Sequence, residues 1–429
     1  MEKYNILHIA RQFQPNSDTS VVESDVTYST DWGVCMQKEI ENYCANFYTM
    51  DYVDLYLEKG KSGFENYVTD FVIEKKIDYV LFSPLSPDPT VDPIFLEKLH
   101  SLTTLIMLFT DSEYYFEKIH RYYAQLSDLV MHVGNFNTLS WYKLLDIKVM
   151  HFNDYFNTVC YKGGEPRNPD IEVSFVGNIG QANRRQYLDF LGQEGLDPEV
   201  YGLGTKNGVV SFDKMVDVWH RSKINLHFTS LSSPNSFILN HSLINQRIKQ
   251  YKGRILEVPL SGGFLLTEYM PDLDRFLKVG EECAVFYSKE DLLEKIKYYL
   301  EHDEERERIA KNGYERGMRD YDFRSGVGRL FEILRDIKKS KATLYLDDDF
   351  IELYVSRRLY YVPYFLANAK FGNMMEEIKI IFSNFRCLSL KKAFLYFIAG
   401  ITEKVLGEKI RRPFRKLKFY RYLRKVPRY

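Results

Sequence analysis

The chain has 429 residues, a length at which two domains are expected. Apolar residues make up 45% of it and charged residues 27%, which excludes disorder for most of the chain. Five scattered cysteines without a CxxC pair or a zinc-like cluster with histidine argue against a disulfide scaffold or a structural zinc, and favour a reducing cytoplasm. The start lacks a signal-peptide pattern, and the longest apolar run, residues 393–401, is far shorter than the roughly 20 residues that span a bilayer.

The net charge of -1 hides an asymmetry between the body and the C-terminus. From Arg386 onward, fourteen Lys and Arg accompany two Glu, a local charge of +12, so the first 385 residues carry -13. After Pro413, apolar residues recur at helical spacing, with cations on the opposite side. These apolar residues are Phe419, Tyr422, Leu423 and Val426. The pattern predicts an amphipathic helix on an anionic membrane surface, with a plain solvated terminus as the main alternative; nucleic acid is not expected.

Two series of β-rich runs alternate with amphipathic helical stretches, which is typical of parallel α/β sheets. The first series has strands at 4–10, 47–56, 78–83, 103–110 and 128–134, with helices near 33–45, 62–76, 92–101, 113–125 and 136–145. The second has strands at 171–176, 199–201, 224–228, 263–267 and 284–287, with helices near 183–194, 211–221, 247–260, 289–301, 303–318 and 324–339. The prediction is an α/β protein with two facing Rossmann-like domains.

The domain boundaries follow from these two series. Residues 1–156 form the first Rossmann-like domain, and the Gly-, Pro- and Asn-rich stretch 157–170 is a linker. Residues 171–340 form the second domain. Residues 341–429 are a helical extension that ends in the basic amphipathic tail.

The turn after the first strand of the second domain is a candidate anion site. Gly177 and Asn178 follow the strand, and Arg184 and Arg185 lie at the start of the next helix. Glycine lets the backbone approach a ligand, a helix N-terminus offers free N–H groups, and arginine adds positive charge, so the segment can cradle a diphosphate. A tight turn with solvated arginines is an equally good interpretation of these residues alone.

The stretch KGRILEVPLSGGFLLTE, residues 252–268, combines a helix, a glycine turn and a buried strand. Arg254 and Glu257 are three residues apart and therefore share one helix face, before the turn at Gly262 and Gly263. A carboxylate there can accept both hydroxyls of a ribose, and the arginine can reach its phosphates. The alternative for this pair is a salt bridge on an exposed helix.

The second domain resembles group 1 glycosyltransferases of the GT-B fold. The resemblance rests on the order of its motifs, which are FVGN-(x)4-NRR, YG, KINLH, KGRILEVPLSGGFLLTE and the charged helices to residue 324. The closest resemblance is to their spore maturation protein (CgeB-like) branch. It covers residues 174–324 and implies a nucleotide diphosphate sugar as donor. Residues 1–156 would then be the acceptor domain and residues 171–340 the donor domain.

The resemblance also implies roles for single residues. Glu257 matches the second glutamate of the E-x7-E signature, which holds the ribose, while Gly177, Asn178 and an arginine after them match the diphosphate turn. The first glutamate of the signature is missing, because Lys249 stands eight positions before Glu257. The long segment 229–248 replaces the usual short loop and offers Asn235, Asn245 or Arg247 as sugar contacts.

A catalytic group is expected at the end of a strand of the first domain. Asp111 follows such a strand, where it can deprotonate an acceptor hydroxyl or, alternatively, cap the helix that begins at Ser112. We assign catalysis to Asp111, Arg184 and Arg254, and donor binding to the other residues of the two motifs. Those residues are Gly177, Asn178, Arg185, Glu257, Gly262 and Gly263.

No cofactor and no metal ion are expected, since no DxD motif ends a strand and Asp347–Asp349 reads as a helix cap. The sequence therefore predicts transfer of a sugar from a nucleotide donor to a glycan or lipid-linked acceptor, with the protein peripheral on the inner face of the cell membrane. Two alternatives stay open. One is a nucleotide-sugar epimerase, disfavoured because the first domain shows no convincing pair of cleft carboxylates; the other is a non-catalytic binding module, suggested by the missing glutamate.

Overall fold

The computed structural model describes residues 3–11, 36–84, 91–152, 156–161, 163–230 and 248–406. Eleven strands lie in this part of the chain. They are β1 (Tyr4–Ala10), β2 (Cys44–Asp51), β3 (Tyr79–Ser83), β4 (Thr104–Thr110), β5 (Leu129–Val133), β6 (Val149–His151), β7 (Ile171–Val176), β8 (Glu199–Tyr201), β9 (Ser222–His227), β10 (Leu265–Glu268) and β11 (Ala284–Phe286).

The helices alternate with the strands and continue beyond the last one. They are α1 (Tyr52–Glu74), α2 (Pro93–Leu102), α3 (Ser112–Tyr115), α4 (Arg121–Ala124), α5 (Leu139–Leu144), α6 (Arg184–Gln193), α7 (Phe212–Arg221), α8 (Arg254–Leu260), α9 (Leu273–Phe276), α10 (Lys289–Glu301), α11 (Asp303–Asp320), α12 (Phe323–Arg335), α13 (Asp348–Ala367), α14 (Phe371–Ser383) and α15 (Leu390–Gly400). Residues 36–41 are also helical. Short 3-10 turns span Phe136–Thr138, Thr158–Cys160 and Phe385–Cys387, and π-helical turns span Phe116–His120 and Ile401–Val405.

The strands form two parallel sheets, which confirms the predicted α/β fold class. The first sheet has the order β2-β1-β3-β4-β5-β6, and the second has the order β11-β10-β9-β7-β8. In the second sheet the strand order reverses beside β7, which has β8 on one side and β9 on the other. Open parallel sheets bind ligands at the carboxyl ends of the strands next to such a reversal. The topology therefore points to the crevice between the ends of β7 and β9.

Several element boundaries differ from the sequence prediction, and two of these differences have a clear structural cause. Helix α1 begins at Tyr52, inside the predicted strand 47–56, because the side chain of Asp51 accepts hydrogen bonds from the amides of Val53 and Asp54 at 2.9 Å and caps the helix. Helix α8 begins at Arg254 and not near 247, since Lys249 forms an isolated bridge with Ser230.

Helix α12 follows the second sheet in the chain but packs on the first. Its residues Phe323, Val327, Leu330 and Phe331 join a buried cluster with Ile6 and other side chains of the first sheet. The region 324–339, which the sequence assigns to the second domain, therefore contributes to the core of the first. This return ties the end of the second α/β unit to the first sheet.

The extension packs on the first sheet through α13. Its aromatic residues Tyr354, Tyr360, Tyr361 and Phe365 lie in the same core as side chains of α1 to α4, as the sequence predicted. The predicted cap is also confirmed, because the side chain of Asp347 accepts from the amide of Phe350 at 2.9 Å. No helix in the described ranges is long and apolar enough to cross a bilayer.

Candidate functional site

Cationic side chains converge on the crevice between β7 and β9. At the start of α8, the Nε of Arg254 donates to the carbonyl of Val176, the last residue of β7, at 3.1 Å. The ammonium of Lys252 lies 3.5 Å from the carbonyl oxygen of Phe228 and 3.3 Å from that of Ser230, both just after β9. Arg254 at the start of α8 and Lys252 just before it thus bring two cations to the two strand ends that flank the reversal.

Arg184, at the start of α6, supplies a third cation. Its Nη1 donates to the carbonyl of Asn178 at 3.0 Å, and its side chain is only 6% exposed. Burial and the neighbouring Arg254 lower the pKa of Arg184 to about 10, and burial together with both arginines lowers the pKa of Lys252 well below its ordinary value. Three cations held close together in a crevice repel one another. A bound anion would offset that repulsion.

The two adjacent arginines of the predicted motif occupy different environments. Arg184 is buried, and its Nε has no hydrogen-bond partner among the described residues. Arg185 is exposed. The solvated-arginine interpretation therefore holds for Arg185 and is wrong for Arg184.

The glycine turn after β7 is tight and close to the β8 loop. The amide of Gly177 donates to the carbonyl of Tyr201 at 2.8 Å, and Asn178 Oδ1 accepts from the amide of Gly180 at 2.8 Å. Gly202 has φ +126°, and a Cβ added to it would lie 2.3 Å from the carbonyl oxygen of Gly177. The close approach of the two loops therefore requires glycine at position 202.

Glu257 lies on α8, one turn after Arg254, and is buried. It is 2% exposed, its Oε1 accepts from the hydroxyl of Tyr161 at 3.1 Å, and its Oε2 has no partner among the described residues. Burial raises the pKa of Glu257 well above its ordinary value. The exposed-salt-bridge alternative is wrong, because α8 is buried along most of its length. A carboxylate with one unsatisfied oxygen fits a ligand that donates hydroxyl hydrogen bonds.

Gly262 and Gly263 do not belong to this crevice, which corrects their predicted role in donor binding. They precede β10 at its amino end, whereas Glu268 marks its carboxyl end. A Cβ on Gly262 would lie 3.1 Å from the Cα of Gly163, and one on Gly263 would lie 2.8 Å from the carbonyl oxygen of Trp219. Their small size serves close packing of the backbone.

Asp111 faces the second sheet from the end of β4. It adopts a left-handed conformation with φ 55° and ψ 35°, and its side chain makes no cap hydrogen bond, so the capping alternative is wrong. Its Oδ1 accepts instead from the side-chain amide of Gln250. A non-glycine residue in this conformation at a strand end often marks a functional site. Burial raises the pKa of Asp111, while the hydrogen bond from Gln250 and the nearby Lys252 oppose that shift.

A second carboxylate lies beside Asp111. Glu113 Oε2 also accepts from the Gln250 amide, at 3.3 Å, and its Oε1 accepts from the backbone of Asn135 at 3.1 Å. Burial, and to a lesser degree the charge of Asp111, raises the pKa of Glu113 to about 7. The sequence interpretation that the first domain lacks a cleft carboxylate pair is therefore wrong.

The segment 249–252 connects the two halves of the site. The side chain of Asn135 accepts from the amide of Tyr251 at 2.6 Å and donates to the carbonyl of Lys249 at 2.8 Å. Gln250 reaches the carboxylates of the first sheet, and Lys252 reaches the end of β9. Neighbouring residues of one short segment thus contact both sheets. Four residues of this arrangement had no predicted role in the site: Asn135, Glu113, Gln250 and Lys252.

Lys249 forms an ion pair at the position of the missing glutamate. Its ammonium contacts the carboxylate of Glu268 at the end of β10 and donates to Ser230 Oγ at 2.6 Å. Burial alone would raise the pKa of Glu268, but Lys249 and hydrogen bonds from Ser230 bring it below its ordinary value. The proposed sugar contacts Asn235, Asn245 and Arg247 lie outside the described residues.

The described residues contain no group of three or more His, Cys, Asp or Glu side chains arranged to hold a metal ion. The polar side chains of the crevice include the carboxylates and cations described above, which are hydrogen-bonded to other side chains or to the backbone. The arrangement presents cations at one sheet and carboxylates at the other. Such a site can bind a polyanion and hold a neutral hydroxyl compound opposite it.

Comparison with known proteins agrees with this geometry. Residues 167–332 match the model of a family described as glycosyl transferase-like. The chain has the GT-B glycosyltransferase fold. The matched segment contains the turn with Gly177 and Arg184, the end of β9 and the whole of α8. No curated protein sequence matches the chain.

Solved structures extend the likeness to both sheets. A glycosyltransferase from Rickettsia africae is similar with a TM-score of 0.53 and 10% identity, over 80% of this chain and 100% of that one. Anabaena HepE in complex with UDP is similar with a TM-score of 0.52 and 10% identity, over 78% of this chain and 100% of that one. Sucrose-phosphate synthase from Thermosynechococcus elongatus has a TM-score of 0.50 and 8% identity, over 78% of this chain and 98% of that one. At these identities the likeness concerns the GT-B fold.

Proposed function

We propose that the protein is a glycosyltransferase that moves a sugar from a nucleotide diphosphate donor to a hydroxyl acceptor. The observation that carries this proposal is the convergence of Arg184, Lys252 and Arg254 at the strand reversal of the second sheet, next to Glu257. The cations suit a diphosphate, and the carboxylate suits the two ribose hydroxyls. The acceptor would lie on the side of Asp111.

In this reaction the bond between the anomeric carbon and the diphosphate oxygen breaks, and a bond from the acceptor oxygen to the same carbon forms. The diphosphate leaves with the bonding electron pair, and the three cations stabilise that charge as it develops. The acceptor hydroxyl loses its proton, which Asp111 can accept because, among the described residues, hydrogen bonds to its carboxylate engage Oδ1 and leave Oδ2 available. We assign the stabilising role to the cations and the base role to Asp111.

Several finer features belong to the proposal. UDP is the first nucleotide to test, because Anabaena HepE, which shares the fold, binds UDP. We further propose a hexosyl group as the sugar, membership of the CgeB-like branch, catalysis without a metal ion, and a glycan or lipid-linked acceptor. The basic tail, which lies outside the described residues, would hold the enzyme at the inner face of the membrane next to such an acceptor.

Epimerisation of a nucleotide sugar is a second candidate, favoured by the pair formed by Asp111 and Glu113. An epimerase would use these carboxylates to move a proton on the sugar itself, with no acceptor. The two reactions differ in product. Transfer releases the nucleoside diphosphate together with a glycosylated acceptor or, in water, the free sugar, whereas epimerisation without hydrolysis returns an isomeric nucleotide sugar.

The decisive experiment is incubation of the full chain with a panel of UDP-, GDP-, ADP-, TDP- and CMP-sugars. Transfer chemistry predicts slow release of one nucleoside diphosphate and a rise in melting temperature with the same nucleotide. Conversion to an isomer without release would support epimerisation, and binding without any turnover across plausible acceptors would support a binding module. If no nucleotide binds or reacts, the proposal is wrong.

A further inference from the structure

The helical extension exposes an unusual number of large apolar side chains. Of the twenty-two large apolar residues that are exposed in the described ranges, eight lie between Leu366 and Val405, and they include every exposed phenylalanine of those ranges. The most exposed neighbours in sequence are Phe382 at 71%, Phe385 at 60%, Leu390 at 84% and Phe394 at 57%. We call these four side chains the extension face.

The extension face is not an unfilled part of the core. Helix α14 points Glu377 inward, where it pairs with the buried Arg358 of α13, while Phe382 points outward. Helix α15 buries Ala393 and Tyr396 and leaves Leu390 and Phe394, one turn apart, in solvent. Each helix is therefore packed on one side and apolar on the other. Both helices pack on α13, and each leaves large apolar side chains in solvent. Such a concentration of exposed apolar side chains marks an interaction site.

The charged side chains within residues 378–402 have one sign. Residues 378–402 contain no Asp or Glu, and their Lys and Arg are all exposed. These cations are Lys379, Arg386, Lys391 and Lys392. Lys392 pairs with Glu352, and Asp348 lies 3.8 Å from the sulfur of Cys387, so two carboxylates of α13 border the surface. The balance on the surface itself is positive.

We propose that the extension face is a membrane-docking surface that rests on an anionic bilayer, with its phenylalanines at the headgroup boundary and its cations near the lipid phosphates. Aromatic and leucine side chains interspersed with Lys and Arg are the composition of interfacial helices. The proposal does not depend on the transferase activity. It also differs from docking by the tail alone, because it assigns direct lipid contact to α14, α15 and the turn between them.

Charge argues against the two other occupants of this surface. The last 23 residues, 407–429, carry ten Lys and Arg and one Glu, a charge of +9, so folding of the tail over a basic face would bring like charges together. A second copy of the chain docked face to face would do the same. An anionic lipid surface complements both the face and the tail.

The test places a fluorescent reporter on the face in the full chain. Phe394→Trp, compared with the wild type for its native tryptophans, should shift to shorter wavelength with phosphatidylglycerol vesicles and be quenched by bromine-labelled acyl chains. Leu144→Trp is the matched control, because Leu144 is 83% exposed on a helix of the first sheet. Its emission should not change. Vesicles of phosphatidylcholine alone should give a much weaker effect on Trp at position 394.

A second variant tests whether the extension face contributes to the strength of vesicle binding. The double variant Phe385→Ser/Leu390→Ser should lower partitioning into anionic vesicles by roughly tenfold or more, because it removes two large apolar side chains from the bilayer contact. Leu144→Ser should leave it unchanged, and melting curves check that each variant is folded. Sedimentation with vesicles while Trp at position 394 stays unquenched would assign docking to the tail and overturn the proposal. Failure to bind vesicles, or self-association abolished by the double variant, would overturn it as well.

Discussion

The hydroxyl of Tyr161 donates to Oε1 of Glu257 across 3.1 Å and leaves Oε2 of the same carboxylate without a partner among the described residues. Tyr161 lies between the two sheets in the chain, and Glu257 lies on the helix that carries Arg254 to the end of β7. The contact therefore fixes the carboxylate while keeping one oxygen for a ligand. A buried acid in this state gains most from a partner that donates hydrogen bonds.

Glu257→Gln should weaken nucleotide binding because the amide has one accepting oxygen, which Tyr161 can engage, and an NH₂ group that cannot accept a hydrogen bond from a ribose hydroxyl. We expect a loss of about 1.5 to 3 kcal/mol, roughly a ten- to hundredfold rise in Kd for UDP. Tyr161→Phe, which keeps the carboxylate, should raise Kd less. Calorimetric titration of both variants gives the comparison. Equal affinity of Glu257→Gln and the wild type would remove Glu257 from the site.

Arg184→Ala should lower the rate of donor hydrolysis by about a hundredfold or more and raise Kd less, since its buried charge acts most on the departing diphosphate. Arg185→Ala is the matched control, because the neighbouring arginine is exposed. Arg185→Ala should change the hydrolysis rate and the Kd by no more than about twofold each. The measurement is steady-state release of nucleoside diphosphate from the active donor. Equal effects of the two substitutions would contradict the separation of their roles.

Asp111→Asn keeps an oxygen that can accept from Gln250 but can no longer take a proton. We therefore expect donor turnover to fall by about 10² to 10⁴, with nucleotide affinity preserved. Glu117→Gln, an exposed carboxylate on the next turn, should leave turnover unchanged. Turnover is followed by nucleotide release with water as acceptor. A full rate in Asp111→Asn would assign the base role to another group.

Glu113 should make stability depend on pH. Its pKa is about 7 in the folded protein against an ordinary 4.5, so the folded state holds the proton more tightly and the free energy of unfolding falls as pH rises from about 4.5 to 7. Glu113→Gln removes this decline, which is at most about 3 kcal/mol. Urea unfolding at pH 5 and pH 8 measures it. Parallel pH profiles of the variant and the wild type would contradict the raised pKa.

Much of the fold could be predicted from the sequence because it rests on local patterns. β1, β7 and β8 have the predicted bounds, since apolar runs between turns define buried parallel strands. The start of α8 was misplaced, because residues 248–250 contain no helix breaker, whereas Lys249 is held by Asn135 and Ser230 of distant segments. Helix periodicity carries no information about such contacts.

The site was predictable only where one motif contains both partners. Arg254 and Glu257 lie on one short helix, and their spacing of three residues was enough to predict that they share one helix face. Gln250 meets Glu113 across 137 positions of the chain, so only the folded structure brings the carboxylate pair together. Gly262 and Gly263 were wrongly predicted to bind the donor. A sequence cannot distinguish a glycine needed for close packing from one needed for contact with a ligand.

The most direct test of the nucleotide site is hydrogen–deuterium exchange of the full chain with and without saturating UDP, or the nucleotide that the panel selects. We expect protection in the turn after β7, residues 177–184, and in residues 252–257 around the start of α8, with little change in α14 and α15, which pack on α13 of the extension. Bound nucleotide that leaves both segments unprotected, or protects a different part of the second sheet, would contradict the account.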